Sequence, residues 1–98
     1  MVQKQYPRKG AQVKVTFEIP ANGGQAVAVL GDFNNWQPDA LPMKLRKKDG
    51  VFSASTTLEA GQTYQFRYLV DGQQWVTEPE ADGVAMSPFG APNAVLQL

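Results

Sequence analysis

Cysteine and histidine are both missing from this chain of 98 residues. Without cysteine there is no disulfide and no thiolate chemistry, so the fold must stand on packing alone; a cytoplasmic location is compatible and is the expectation. Without histidine the commonest general base and the commonest metal ligand are both gone. An excess of charge of one sign is missing too, because nine basic residues cancel nine acidic ones. A nucleic-acid binder draws its affinity from neutralising phosphates, so nucleic acid is not an expected partner. No apolar run approaches the ~20 residues of a membrane helix, and no membrane partner is expected. The first ten residues, with Lys4, Arg8 and Lys9, lack the apolar centre of a signal peptide. No stretch carries a convincing helical period.

What is present is apolar and aromatic: 43% of the residues are hydrophobic, and Phe, Trp and Tyr make up 10% of the chain. A chain of this length makes one domain that buries roughly two-thirds of its unfolded surface. A flexible lead over 1–11 is expected before a single domain over 12–98. Val13, Val15, Phe17 and Ile19 alternate with Lys14, Thr16 and Glu18, a strand with one buried face. Ala26–Leu30 reads as a second, buried strand. A short strand around Met43–Lys47 leads through Asp49-Gly50 into a return strand over Val51–Leu58. Tyr64, Phe66, Tyr68 and Val70 alternate with Gln65, Arg67 and Leu69, the clearest strand of all. Asp71-Gly72 then turns into Gln74-Trp75-Val76. Residues 77–92, rich in Pro and Gly, read as a long loop before a last strand over Asn93–Leu98. About seven short strands with regular turns predict an all-β fold, an antiparallel immunoglobulin-like β-sandwich. A small barrel has the same local signals.

The strand ending at Leu30 stops at Gly31-Asp32-Phe33-Asn34-Asn35-Trp36. Gly, Asp and Asn keep this segment in turn conformations, yet it carries a Trp. Trp36 and Trp75 are the two tryptophans of the chain. Each is either a core residue, as sandwiches often hold, or a ring displayed for stacking. Their places in a polar loop and beside a hairpin tip favour display. Arg67, on the polar face of the best strand, is an ordinary solvated charge unless geometry adds to it. A two-residue Asp71-Gly72 turn pairs Tyr68 with Trp75 and puts the ring opposite Arg67. A three-residue Asp71-Gly72-Gln73 turn pairs Leu69 with Trp75 and puts Trp75 and Arg67 on one face. A shared site therefore predicts the longer turn.

Other candidates are weaker. Lys44, Arg46, Lys47 and Lys48 read as a solubilising strand edge. Glu78, Glu80 and Asp82 lack the Asx/Gly pattern of a calcium loop, and no metal or cofactor is expected. No general base, nucleophile elbow or phosphate-cradling loop appears. The carboxylates Asp32 and Asp71 stay open as a glycosidase pair, with no spacing that favours them.

Gly31–Trp36, then Tyr64–Gly72 followed by Trp75, then Asn93–Leu98, resemble the family 48 carbohydrate-binding module over roughly residues 12–98. This is the glycogen- and starch-binding domain of the AMP-activated protein kinase beta subunit, related to the N-terminal early-set module of isoamylases and branching enzymes. The resemblance implies non-catalytic binding of α-1,4-glucan, in the company of a glycan-active enzyme such as a family 13 glycoside hydrolase, or of a kinase. The family's two tryptophans fall on Trp36 and Trp75, and its lysine falls on Arg67, which keeps the charge and adds donors. One residue is inserted before the second Trp. In the family's late loop the Leu position becomes Phe89, the Thr position Ala91, and the Asn falls on Asn93. The alternative is an early-set domain that packs against a catalytic partner without holding sugar.

Overall fold

Period-two alternation turns directly into strands in the computed structural model, which describes residues 1–7, 10–37, 40–86 and 92–98. The strands are β1 (Val2–Gln5), β2 (Gln12–Pro20), β3 (Val27–Gly31), β4 (Lys44–Arg46), β5 (Val51–Glu59), β6 (Thr63–Val70), β7 (Gln74–Val76), β8 (Gly83–Met86) and β9 (Pro92–Gln97). One sheet has the order β1-β2-β5-β4; the other has β3-β6-β9-β8, with β7 also paired to β6. Among the described residues the strand pairings are antiparallel. The two sheets face each other as an immunoglobulin-like β-sandwich.

The core is the set of inward positions of both sheets. Val13, Val15 and Phe17 from β2 and Phe52 from β5 meet Val29 from β3, Phe66 and Tyr68 from β6, and Leu96 from β9. Phe17 is the hub: its ring centroid lies 5.0 Å from Phe66, 6.5 Å from Tyr68 and 5.7 Å from Phe33. Edge-to-face rings at these spacings add to simple burial of apolar area.

Two elements depart from the sequence reading. The expected flexible lead contains β1, in which Val2 pairs with Phe17 and Lys4 with Val15. Those partners face inward, so Lys4 points along the inner face, where its Nζ donates to Asp82 Oδ2 at 2.6 Å and to the Gln97 carbonyl at 2.9 Å. An ion pair, not apolar alternation, closes this side, and a charged strand carries no hydrophobic period to read. The expected loop over 77–92 contains β8, an edge strand running from Gly83 opposite Val95 to Met86 opposite Pro92. Among the described residues, nine strands therefore stand where about seven were expected.

The acids of this region have structural partners. Glu78 is buried; its Oε1 accepts from the Tyr68 hydroxyl at 2.8 Å and from the N-terminal ammonium, and its Oε2 accepts from the Glu80 N–H. Burial, with the Glu78 carboxylate beside it, pushes the Tyr68 phenol well above its ordinary value. Burial works to raise the Asp82 carboxyl, but the Gln97 N–H and the Lys4 ammonium outweigh it and hold the group below the ordinary range.

Candidate functional site

The loop after β3 sends one aromatic ring inward and one outward. Gly31 is extended, so backbone freedom is not why glycine stands there. Close approach is: a Cβ would lie 2.7 Å from the Gln65 carbonyl oxygen and 2.8 Å from Phe66 Cβ. Asp32–Asn34 form a single 3-10 turn, and the Asn34 side chain accepts from the Gly31 N–H at 3.0 Å while donating to the Val29 carbonyl at 2.9 Å. Phe33 plugs inward, stacked on Phe17 and edge-on to Tyr64. Asn35 and Trp36 both take left-handed φ, 55° and 57°. That conformation is uncommon for a bulky residue and persists where surrounding bonds over-determine it. Here the Trp36 N–H reaches back to the Gly31 carbonyl at 3.0 Å, and its indole Nε1–H donates to Asp32 Oδ1 at 3.1 Å.

On β6 the alternation separates two faces. Phe66 and Tyr68 are wholly buried, while Gln65, Arg67 and Leu69 face out and are half-buried. At the hairpin tip Asp71 and Gly72 both have positive φ, 52° and 68°. The Gln73 N–H donates to the Val70 carbonyl at 3.1 Å. Gln73 is then the extra residue, and the ladder resumes with Val70 opposite Gln74 and Leu69 opposite Trp75. This is the longer-turn register, with Trp75 on the face of Arg67. The Asp71 carboxylate braces the tip, accepting from the Gln25 and Ala26 N–H groups.

Trp36, Arg67 and Trp75 thus form one patch. The two indole centroids are 6.4 Å apart with their planes at 64°. The Arg67 guanidinium carbon lies 4.6 Å from the Trp75 centroid and 5.9 Å from that of Trp36, within cation–π range of both. Trp75 is 44% exposed, and Trp36 is half-buried outside the core cluster. Leu30, opposite Arg67 on β3, is buried on this outer side, also outside the core cluster.

Asn93, on β9, is 5% exposed and donates from Nδ2 to Gln65 Oε1 at 3.0 Å. Phe89 and Ala91 lie outside the described residues. Arg67 Nε and Asn93 Oδ1 are buried and lack a hydrogen-bond partner among the described residues. Two contributors were missed in the sequence. Gln65 shares the parity of Arg67, a signal that was available; Asp32 reads as a turn residue or as half of an open carboxylate pair with Asp71, not as a partner of Trp36. Among the described residues no cluster of three or more His, Cys, Asp or Glu could hold a metal ion, and no helix is long and apolar enough to cross a membrane.

The fold and the patch define a β-sandwich carrying an outward aromatic and guanidinium platform on one sheet. The family model described as the glycogen recognition site of AMP-activated protein kinase matches residues 12–97, and the chain belongs to that family. It is 38% identical over 85 residues to the 1,4-alpha-glucan branching enzyme GlgB of Pseudomonas putida, a match covering 86% of this chain and 11% of that enzyme. It is 34% identical over 97 residues to the enzyme of the same name from Pseudomonas fluorescens strain Pf0-1, covering 91% of this chain and 13% of the enzyme. The chain therefore spans about a tenth of the length of these relatives. Among solved structures, the enterobactin esterase FES of Shigella flexneri superposes with a TM-score of 0.78 at 13% identity, over 99% of this chain and 32% of that one. That likeness concerns the fold alone.

Proposed function

We propose that this chain is a non-catalytic module that binds α-1,4-glucan by stacking glucose rings on Trp36 and Trp75. The observation that carries this is the common outward patch of both indoles and Arg67. A pyranose ring offers a flat C–H patch edged by hydroxyls and no charge. Indole faces suit the patch; a guanidinium and an amide suit the edge. Arg67 Nε and Asn93 Oδ1 are a donor and an acceptor without a partner among the described residues. If each indole desolvates about 80 Å² of apolar area, the pair contributes roughly 4 kcal/mol at ~25 cal/mol/Å². Ordering offsets part of this, so affinity for an oligosaccharide falls at about millimolar to tens of micromolar, and avidity on a polymer adds to it.

The branching-enzyme relatives support a setting in which the module delivers a cytoplasmic glucan-active enzyme to its polymer. Maltoheptaose should change the tryptophan fluorescence, and Trp75→Ala should lose retention on a glycogen-containing gel. Parent protein that migrates unretarded on such a gel contradicts the reading. A second reading, docking against a catalytic partner without sugar, draws on the edge strand β8, where Val84 and Met86 are 67% and 68% exposed. It predicts unretarded migration together with loss of partner activity or stability in Val84→Ser/Met86→Ser.

A further inference from the structure

We infer that Asp32 is a positioning residue of this site, setting the orientation of the Trp36 ring; this rests on the glucan-binding reading above. The β3–β6 ladder ends at the Gly31–Phe66 pair, because the chain leaves the sheet in the turn that follows. Gln65, the next residue along β6, has its N–H beyond the end of β3, and Asp32 Oδ2 accepts it at 2.8 Å. The carboxylate takes the place that a further strand residue would have held. Its other oxygen, Oδ1, accepts the indole Nε1–H of Trp36 at 3.1 Å. One carboxylate therefore fastens the ring to the strand that carries Arg67.

The consequence is specific to the ring's orientation. Trp36 is attached by a left-handed backbone, φ 57°, and is half-buried outside the core cluster, so the core does not enclose its ring. With the N–H edge held by Asp32, the indole meets Trp75 at 64° and presents its face, not its polar edge, to a ligand. The bond is charge-assisted, and such bonds are roughly twice as strong as neutral ones. Gln65 joins the same arrangement from its side chain, since its Oε1 holds Asn93 Nδ2. The backbone and side chain of one β6 residue thereby connect both flanks of the patch.

The test measures maltoheptaose binding by calorimetry and the two indole N–H signals by NMR. In the parent protein the Trp36 indole N–H should exchange with solvent more slowly than that of Trp75. Asp32→Ala should keep a dispersed spectrum, shift the Trp36 indole signal and weaken binding about tenfold. Asp32→Asn keeps an acceptor for only one of the two donors, and its affinity should fall between the two. Equal exchange of both indoles in the parent protein overturns the inference without any variant having to fold. So does Asp32→Ala binding as tightly as the parent, or losing affinity with the Trp36 signal unmoved. Parent protein that does not bind maltoheptaose at all overturns the glucan reading instead.

Discussion

At the scale of single residues, the loop after β3 divides its labour between neighbours: Phe33 anchors inward on Phe17, and Trp36 turns outward beside Arg67. Position in the chain separates ring types that composition cannot. Trp75→Ala should lower glucan affinity at least about tenfold, with the unfolding midpoint in urea little changed, because its ring is 44% exposed and outside the core. Phe17→Ala should do the opposite kind of damage, costing about 3–5 kcal/mol in the same urea experiment, since its wholly buried ring touches three others. Tyr68 gives a pH signature. Its folded phenol titrates above the ordinary value of 10.0, so its contribution is full below that pH and is lost as pH rises through the folded value. The phenolate absorbance of Tyr68 should appear only with loss of the far-ultraviolet strand signal.

At the scale of elements, the β6–β7 hairpin sets which face Trp75 occupies. Asp71 and Gly72 already make a turn with two left-handed residues, and Gln73 is the extra residue between Val70 and Gln74. Deleting Gln73 leaves a two-residue Asp-Gly turn that still pairs Val70 with Gln74 and Leu69 with Trp75. Glucan affinity and unfolding midpoint should both survive the deletion; loss of binding in a folded variant would mean that Gln73 itself contributes. The turn register was legible from the sequence because only one loop length put Trp75 and Arg67 together. The long alternating strands were legible for the same kind of reason, a buried face with period two. β1 and β8 were not. β1 is held by Lys4 and Asp82, and β8 is a short edge whose Val84 and Met86 project into solvent, so neither shows the contrast that burial writes into a sequence. Asp32 reads in the sequence only as a turn residue or half of a carboxylate pair with Asp71; its two bonds, to Trp36 and to Gln65, depend on where β3 ends and were illegible.

At the scale of the whole molecule, charge closes what apolar packing leaves open. Lys4 on the first sheet meets Asp82 beside the second, and the Asp82 carboxyl, held below the ordinary 3.8, also accepts the Gln97 N–H. Its contribution is present above that pH and is lost as pH falls through the lowered value. Asp82→Ala should therefore lower stability by about 1 kcal/mol at neutral pH and by less in strong acid, read from urea unfolding at several pH values. The Trp36–Arg67–Trp75 patch lies on the outer face of the second sheet, so loosening this tie should leave the proposed sugar affinity at neutral pH nearly unchanged. On the proposed reading, both indoles share one water-facing surface that holds glucose rings. A titration of the isotope-labelled protein with maltoheptaose, followed at the Trp36 and Trp75 indole N–H signals, tests it most directly. The two signals should move together along one binding curve; if either stays fixed while the sugar binds, or neither moves at millimolar sugar, the shared platform is refuted.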